Sequence, residues 1–268
     1  MTSAKARTIL VTGASAGIGA ATAQRLARSG FRVFGTSRKA GTAPTGPEWV
    51  RMDVTDDDSV AAGVREVLER AGAIDGLVCA AGYGVFGSVE ETSTQRARAQ
   101  FDTNVLGVIR LLRAVLPGMR QRGEGRVVVV GSLAGRAPIP FQAHYSASKA
   151  AVDALTLALR NELHGTGVLV SLVEPGDIRT EFNERMDWGE AGTSAYGERL
   201  ARCEKVIRAS LPKAPGPDLV AGVILRALTS RRPRVRYCVG PDSRLVPWGR
   251  RLLPDAWSLA LIRDHFQV

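Results

Sequence analysis

Apolar positions in this chain fall into short clusters, separated by longer stretches where they recur at helical spacing. The clusters at residues 8–11, 32–36, 49–52, 76–80, 126–130, 169–173 and 236–239 have the length and aliphatic content of strands, most of them buried on both faces. Helical runs lie between them at 20–29, from Asp57 or Asp58 to about Ala71, within 92–122, from about Ala143 to His164, and at 219–228. Strands alternating with helices predict an α/β fold, a doubly wound, parallel, seven-stranded sheet with helices on both faces. Residues 41–47 read as a Gly/Pro/Thr loop, and residues 182–217 as a polar, mobile insertion over a cleft. Residues 1–240 form the catalytic unit on this reading, and 241–268 a tail that packs on the same domain.

In such sheets ligands bind outside the carboxyl ends of the strands, and the unusual residues of this chain fall there. The first strand runs into Thr12-Gly13-Ala14-Ser15-Ala16-Gly17-Ile18-Gly19 and then into a helix. A strand, a glycine turn and a helix N-terminus bring backbone N–H groups to a pyrophosphate. The spacing Gly-x-x-x-Gly-x-Gly differs from the Gly-x-Gly-x-x-Gly fingerprint, and alone it could be an ordinary strand–helix turn. The second strand ends in Ser37-Arg38-Lys39, where dinucleotide folds commonly place an acid on the ribose hydroxyls. No carboxylate is there to repel a 2′-phosphate, and Arg38 can fork onto one, which predicts NADP. Asp53-Val54 follows the third strand, and Asp53 is expected to contact the adenine edge or to cap the next helix. Ala81-Gly82 lets the backbone pass close to the cofactor.

The chemistry is carried by the stretch from Ser132 to Lys149. Ser132 follows Val127-Val128-Val129-Val130, at a strand end where its hydroxyl can bond an oxygen that develops charge. Tyr145 and Lys149 are one helical turn apart on one face. A phenol titrates near ~10, and an ammonium beside it is expected to lower that value and let Tyr145 exchange a proton at neutral pH. Tyr-x-x-x-Lys alone is a weak pattern. With Ser132 and the glycine turn it describes a site that reduces a carbonyl or oxidises an alcohol. Asn104 lies in a helical segment, as a structural polar contact or as support for catalysis.

Composition narrows the setting. At 268 residues with 45% hydrophobic content the chain can bury a large core, and no long uncharged apolar run marks a membrane span. The N-terminus has no signal-peptide apolar region. Cys79, Cys203 and Cys238 are odd in number and scattered, which favours reduced thiols in a cytoplasmic protein over disulfides or a metal site. The net charge is +10, with Lys at only five positions, so arginine carries it. No nucleic-acid motif accompanies the charge, and a solvated basic surface is the simpler reading.

Together these residues resemble the short-chain dehydrogenase/reductase family in its single-domain, Rossmann-type branch, over about residues 7–240. Thr12, Gly13, Gly17 and Gly19 match its cofactor turn, and Asn104, Ser132, Tyr145 and Lys149 its catalytic tetrad. Pro175, Gly176 and Thr180, with Ile178 between them, match the segment that usually holds the nicotinamide. The resemblance implies that Tyr145 donates or accepts the proton, Ser132 polarises the substrate oxygen, Lys149 binds the nicotinamide ribose, and Asn104 positions a water leading to Lys149. The usual Asn-Asn-Ala-Gly is Cys79-Ala80-Ala81-Gly82 here, which puts local stability in question. Arg38 and the C-terminal extension are similar to those of 17β-hydroxysteroid and retinol dehydrogenases. The family also implies a homodimer or homotetramer, through the helices of 92–122 and 143–164, where Ala147, Ala151 and Ala154 would allow close packing.

A lipophilic substrate is expected from the loop residues Tyr83, Val85, Phe86, Leu133, Pro138, Ile139, Pro140, Phe141, Phe182, Met186 and Trp188. The tail residues Trp248, Leu252, Leu253 and Trp257, with Arg244, Arg250 and Arg251, would cover the cleft or touch a membrane surface. Two other readings compete. A nucleotide-sugar epimerase shares Tyr-x-x-x-Lys but has another glycine spacing and a larger C-terminal domain. A non-catalytic NADP-sensing protein would not need the full set of Asn104, Ser132, Tyr145 and Lys149.

Overall fold

A computed structural model describes residues 6–39, 46–189, 194–243, 248–249 and 252–268. Its strands are β1 (Thr8–Val11), β2 (Arg32–Ser37), β3 (Glu48–Arg51), β4 (Gly76–Cys79), β5 (Gly125–Val130), β6 (Val168–Pro175) and β7 (Arg236–Val239). All pair in parallel, in the order β3-β2-β1-β4-β5-β6-β7. The chain leaves β1 toward β3 and returns on its other side as β4. The crevice between β1 and β4 is therefore the topological switch point.

The helices are α1 (Gly17–Arg28), α2 (Asp57–Ala71), α3 (Thr94–Phe101), α4 (Gly107–Arg122), α5 (Ala143–Glu162), α6 (Gly197–Ser210), α7 (Asp218–Thr229) and α8 (Asp255–Phe266). Side chains alternate across a strand, so β1 sends Ile9 and Val11 to one face and Leu10 to the other. Ile9 and Val11 join Leu26 of α1 and Ile224 and Leu228 of α7 in one core. Leu10 joins Val64 of α2, Leu111 of α4 and Val152 of α5 in the second. Each of these residues is almost completely buried, which explains why the strands read as continuous apolar runs.

Several boundaries differ from the pattern. Helix α1 begins at Gly17 and not at 20, because the glycine turn is itself the first turn of the helix. The 92–122 segment is broken by a π-helical turn, Asp102–Leu106. Asp56 caps α2, accepting from the N–H groups of Asp58 and Ser59 at 2.9 and 3.1 Å, so Asp53 is not the cap. Gly72 ends that helix at φ 82°, a left-handed value that suits glycine.

The largest correction concerns 182–217. Read as a polar, mobile insertion, it contains α6, whose Leu200, Cys203 and Ile207 are buried against Phe86 and Met186. Helix α8 packs on α6, with Arg202 Nε donating to the Gln267 carbonyl at 2.9 Å and Phe266 against the same cluster. Trp257 and Leu261 on α8 are exposed, as are Trp248 and Leu252 before it. Arg244, Arg250, Arg251 and positions 41–45 of the predicted loop lie outside the described residues.

Candidate active site

Glycine builds one end of the site. Gly13 has φ 66°, and a Cβ on it would come within 2.9 Å of the Ala81 backbone. A Cβ on Gly19 would lie 2.2 Å from the Gly13 carbonyl oxygen, so only glycine lets α1 press onto the turn. Thr12 Oγ1 donates to the Val78 carbonyl at 3.4 Å and accepts from the N–H groups of Ala80 and Ala81 at 3.2 and 3.4 Å. This hydroxyl ties the ends of β1 and β4 together, where Cys79-Ala80-Ala81-Gly82 has no asparagine side chain to contribute.

The turn opens into a cavity of about 1170 Å³ at the carboxyl ends of the strands. Gly13, Ser15, Gly17, Ile18 and Gly19 line its floor, and Ser37, Arg38, Asp53, Val54, Ala81 and Gly82 line the flank beyond β2 and β4. The first turn of α1 has no acidic residue, and its Gly17, Ile18 and Gly19 border the cavity as a cradle. Glu181 already shows their pull on anions, since Gly17 N–H donates to its Oε2 at 3.1 Å. The cradle fits a dinucleotide pyrophosphate. Arg38 is exposed at the rim. Asp53 Oδ1 accepts from the N–H and hydroxyl of Thr55 at 3.0 and 2.7 Å. The Thr55 backbone bond chiefly holds this carboxylate below its ordinary range, with burial opposing.

Ser132, Tyr145 and Lys149 line the cavity close to one another, together with Pro175, Gly176, Ile178 and Thr180. Ser132 caps a 3₁₀ turn, Leu133–Gly135, where its Oγ accepts from Ala134 N–H at 3.1 Å and reaches the Pro175 carbonyl at 3.5 Å. Tyr145 is 9% exposed, and its ring lies 5.6 Å from that of Phe182.

The expected lowering of the Tyr145 pKa by Lys149 is not what the structure gives. Burial pushes the phenol up to about 12, the Ser132 hydroxyl pulls it back, and Asp177 raises it. Burial also pulls Lys149 down to about 8. The Lys149 Nζ donates to the Val130 carbonyl at 3.0 Å and sits 5.8 Å from the Tyr145 ring centroid. Both groups are removed from water, and desolvation outweighs their mutual effect.

Asn104 is the one predicted catalytic residue that does not line the cavity. It is 1% exposed in the π-helical turn, behind the wall. Its Nδ2 donates to Tyr83 O and Ser148 Oγ, each at 3.0 Å, and its Oδ1 accepts from Tyr83 N–H at 3.1 Å. Ser148 Oγ donates in turn to the Tyr145 carbonyl at 2.7 Å. Asn104 thus joins the segment after β4 to the helix of Tyr145 and Lys149.

Beyond Tyr145 the cavity is mainly apolar. Tyr83, Leu133, Ile139, Phe182 and Met186 line it as expected. Val85, Phe86, Pro138, Pro140, Phe141 and Trp188 do not, and Phe86 packs with the rings of Phe141 and Trp188. The sequence reading missed Val206, Ile207 and Leu211 from α6 and its end, and Leu261, Ile262 and Phe266 from α8. Their apolar spacing was the available signal. Asp177, Glu181, Arg185, Asp187 and His265 also reach the wall. Asp187 is paired with Arg96 at 2.6 Å, which holds its carboxyl below the usual range. Among the described residues no cluster of His, Cys, Asp and Glu could hold a metal, and no helix is long and apolar enough to cross a membrane.

Comparison with known proteins agrees with this geometry. The short chain dehydrogenase family model matches residues 7–190, and the chain belongs to that family of oxidoreductases. It is 34% identical over 263 residues to a 3-ketodihydrosphingosine reductase of Bacteroides thetaiotaomicron, covering 97% of this chain and 98% of the relative. It is 37% identical over 276 residues to human 17-beta-hydroxysteroid dehydrogenase type 1, covering 93% and 82%. A short-chain dehydrogenase from Streptomyces avermitilis superposes with a TM-score of 0.84 at 32% identity, over 99% of this chain and 98% of that one. Structural relatives bind either nicotinamide cofactor. A serine dehydrogenase was solved with NADP+ (TM-score 0.75, 27% identity, 88% of this chain and 96% of that one), and a Burkholderia phymatum enzyme with NAD (0.80, 25%, 97% and 96%).

Proposed function

We propose that this chain is an NADP(H)-dependent oxidoreductase that interconverts a lipophilic ketone and the matching secondary alcohol. One observation carries the reading: Ser132, Tyr145 and Lys149 line the same cavity as the glycine turn, Arg38 and the apolar side chains of Leu133, Ile139, Phe182 and Met186. The glycine turn with Ser15 and Ile18 would hold the pyrophosphate, and Ser37 and Arg38 the 2′-phosphate. Asp53 and Val54 would flank the adenine, and Ala81, Gly82, Tyr145 and Lys149 the nicotinamide ribose. Asn104 would hold that wall from behind, and Pro175, Gly176, Ile178 and Thr180 would seat the nicotinamide. NADPH supplies the hydride when bound.

The chain's own residues manage the oxygen. With its pKa raised to about 12, Tyr145 keeps its proton at neutral pH and donates it to a carbonyl oxygen as charge develops there. The Ser132 hydroxyl lies close enough to Tyr145 to donate a hydrogen bond to the same oxygen and stabilise that charge. Lys149, protonated below about pH 8, keeps a positive charge beside the phenol. The apolar end binds substrate by removing its surface from water, at about 25 cal/mol per Å². The 3-keto and hydroxysteroid chemistry in two relatives' names supports a lipophilic carbonyl.

The decisive variant is Tyr145→Phe. It should bind NADPH within about twofold of wild type while kcat falls about a thousandfold, as for loss of a general acid. Near wild-type kcat would remove Tyr145 from the mechanism.

A further inference from the structure

Four charged side chains form a chain of contacts just outside the cavity. Glu174, at the end of β6, is only 1% exposed. Its Oε1 accepts from Arg136 Nε at 2.8 Å and from Arg236 Nη1 at 3.1 Å. Arg236, on β7, also pairs with Asp153 on α5. Cys238 Sγ lies 3.5 Å from Glu174 Oε2. A lone buried carboxylate is costly, and this one is compensated by two guanidinium groups. Such a network is weak evidence for stability, since well-packed apolar residues serve as well, but its geometry fixes which elements meet.

The elements it joins are those that carry the site. Arg136 directly follows the 3₁₀ turn capped by Ser132. Glu174 directly precedes Pro175 and Gly176. Asp153 is one helical turn beyond Lys149 on α5. None of the four charged residues lines the cavity. The Ser132 turn also packs on α5, where a Cβ on Gly135 would lie 2.9 Å from the Lys149 backbone. Its hydroxyl engages Tyr145 and lies 3.5 Å from the Pro175 carbonyl, and the Arg136–Glu174 pair adds a side-chain tie to β6.

We propose that Arg136 and Glu174 are positioning residues: their ion pair holds the Ser132 turn in register with the end of β6, and through Arg236 and Asp153 with the helix of Tyr145 and Lys149. The kinetic part of this proposal rests on the function proposed above.

The test is Arg136→Met. It cuts only the arm to the Ser132 turn and leaves Glu174 paired with Arg236, so the fold is kept. Hydrogen exchange in residues 132–137 should quicken about tenfold or more, with α1 unchanged. With a lipophilic ketone, kcat should fall about tenfold while the NADPH Kd stays within about twofold. In a Ser132→Ala background the same substitution should cost less than about twofold, because it acts through Ser132. Arg136→Lys should recover part of the loss. Unchanged exchange in 132–137, or an equal kcat loss in both backgrounds, would overturn the proposal. If wild type turns over no carbonyl, the functional reading fails and the exchange measurement alone decides the positioning claim.

Discussion

At the scale of single residues, burial sets the protonation states of the site more than pairing does. Lys149 is pulled from its ordinary value of 10.5 to about 8 by burial, a difference worth about 3 kcal/mol. Between about pH 8 and 10.5 the unfolded chain binds more protons than the folded one, so stability rises with pH there. Below pH 8 the cost of the buried ammonium is present in full. Lys149→Met should therefore abolish activity yet stabilise the protein at pH 7 by about 1–3 kcal/mol, after the lost bond to the Val130 carbonyl is counted. Urea melts from pH 6 to 10 would also lose the rise seen in wild type. A variant less stable than wild type at pH 7 would contradict this account. Arg38 gives a second residue-scale prediction. A charge-assisted contact to a 2′-phosphate is worth roughly 1.5–3 kcal/mol, so Arg38→Asp should lower the NADPH/NADH ratio of kcat/KM about ten- to hundredfold. Equal kcat/KM for both cofactors in wild type would exclude the assigned role.

At the scale of elements, β1, β4, β5 and β6 were legible because each is a short, mainly aliphatic run bounded by turn residues and buried on both faces, whereas the edge strands β3 and β7 mix charged and aromatic residues. The glycine turn was legible because its spacing answers a steric need: Gly13 passes the Ala81 backbone, and Gly19 lies against the Gly13 carbonyl. Helix α6 was not. Leu200, Cys203 and Ile207 form a sparse apolar stripe among many charged positions, so the segment's mean character hides it. Helix α8 is similar, because its outer face keeps Trp257 and Leu259 exposed and blurs the two-sided pattern. The π-helical turn at Asn104 has no local signature, since its wider hydrogen bonds are enforced by contacts to Tyr83 and Ser148 from elsewhere in the chain. The pKa shift of Tyr145 differs from the expectation for a related reason. Spacing along a helix gives proximity, but the depth of burial comes from the assembled fold.

At the scale of the whole molecule, one cavity joins an anion cradle, Tyr145 as the proposed proton donor, and mainly apolar walls supplied by the loops after β4, β5 and β6 and by α6 and α8. This combination is the central claim, because it joins cofactor, chemistry and substrate in one shape. Its most direct test is a matched panel of carbonyl substrates with NADPH, in which apolar bulk is added stepwise to a ketone and compared with small keto acids and sugars. The account predicts that kcat/KM rises with apolar surface, about tenfold for each ~55 Å² buried at 25 cal/mol per Å², until the cavity is full. Higher kcat/KM on the polar set, with no gain as apolar bulk is added, would contradict it.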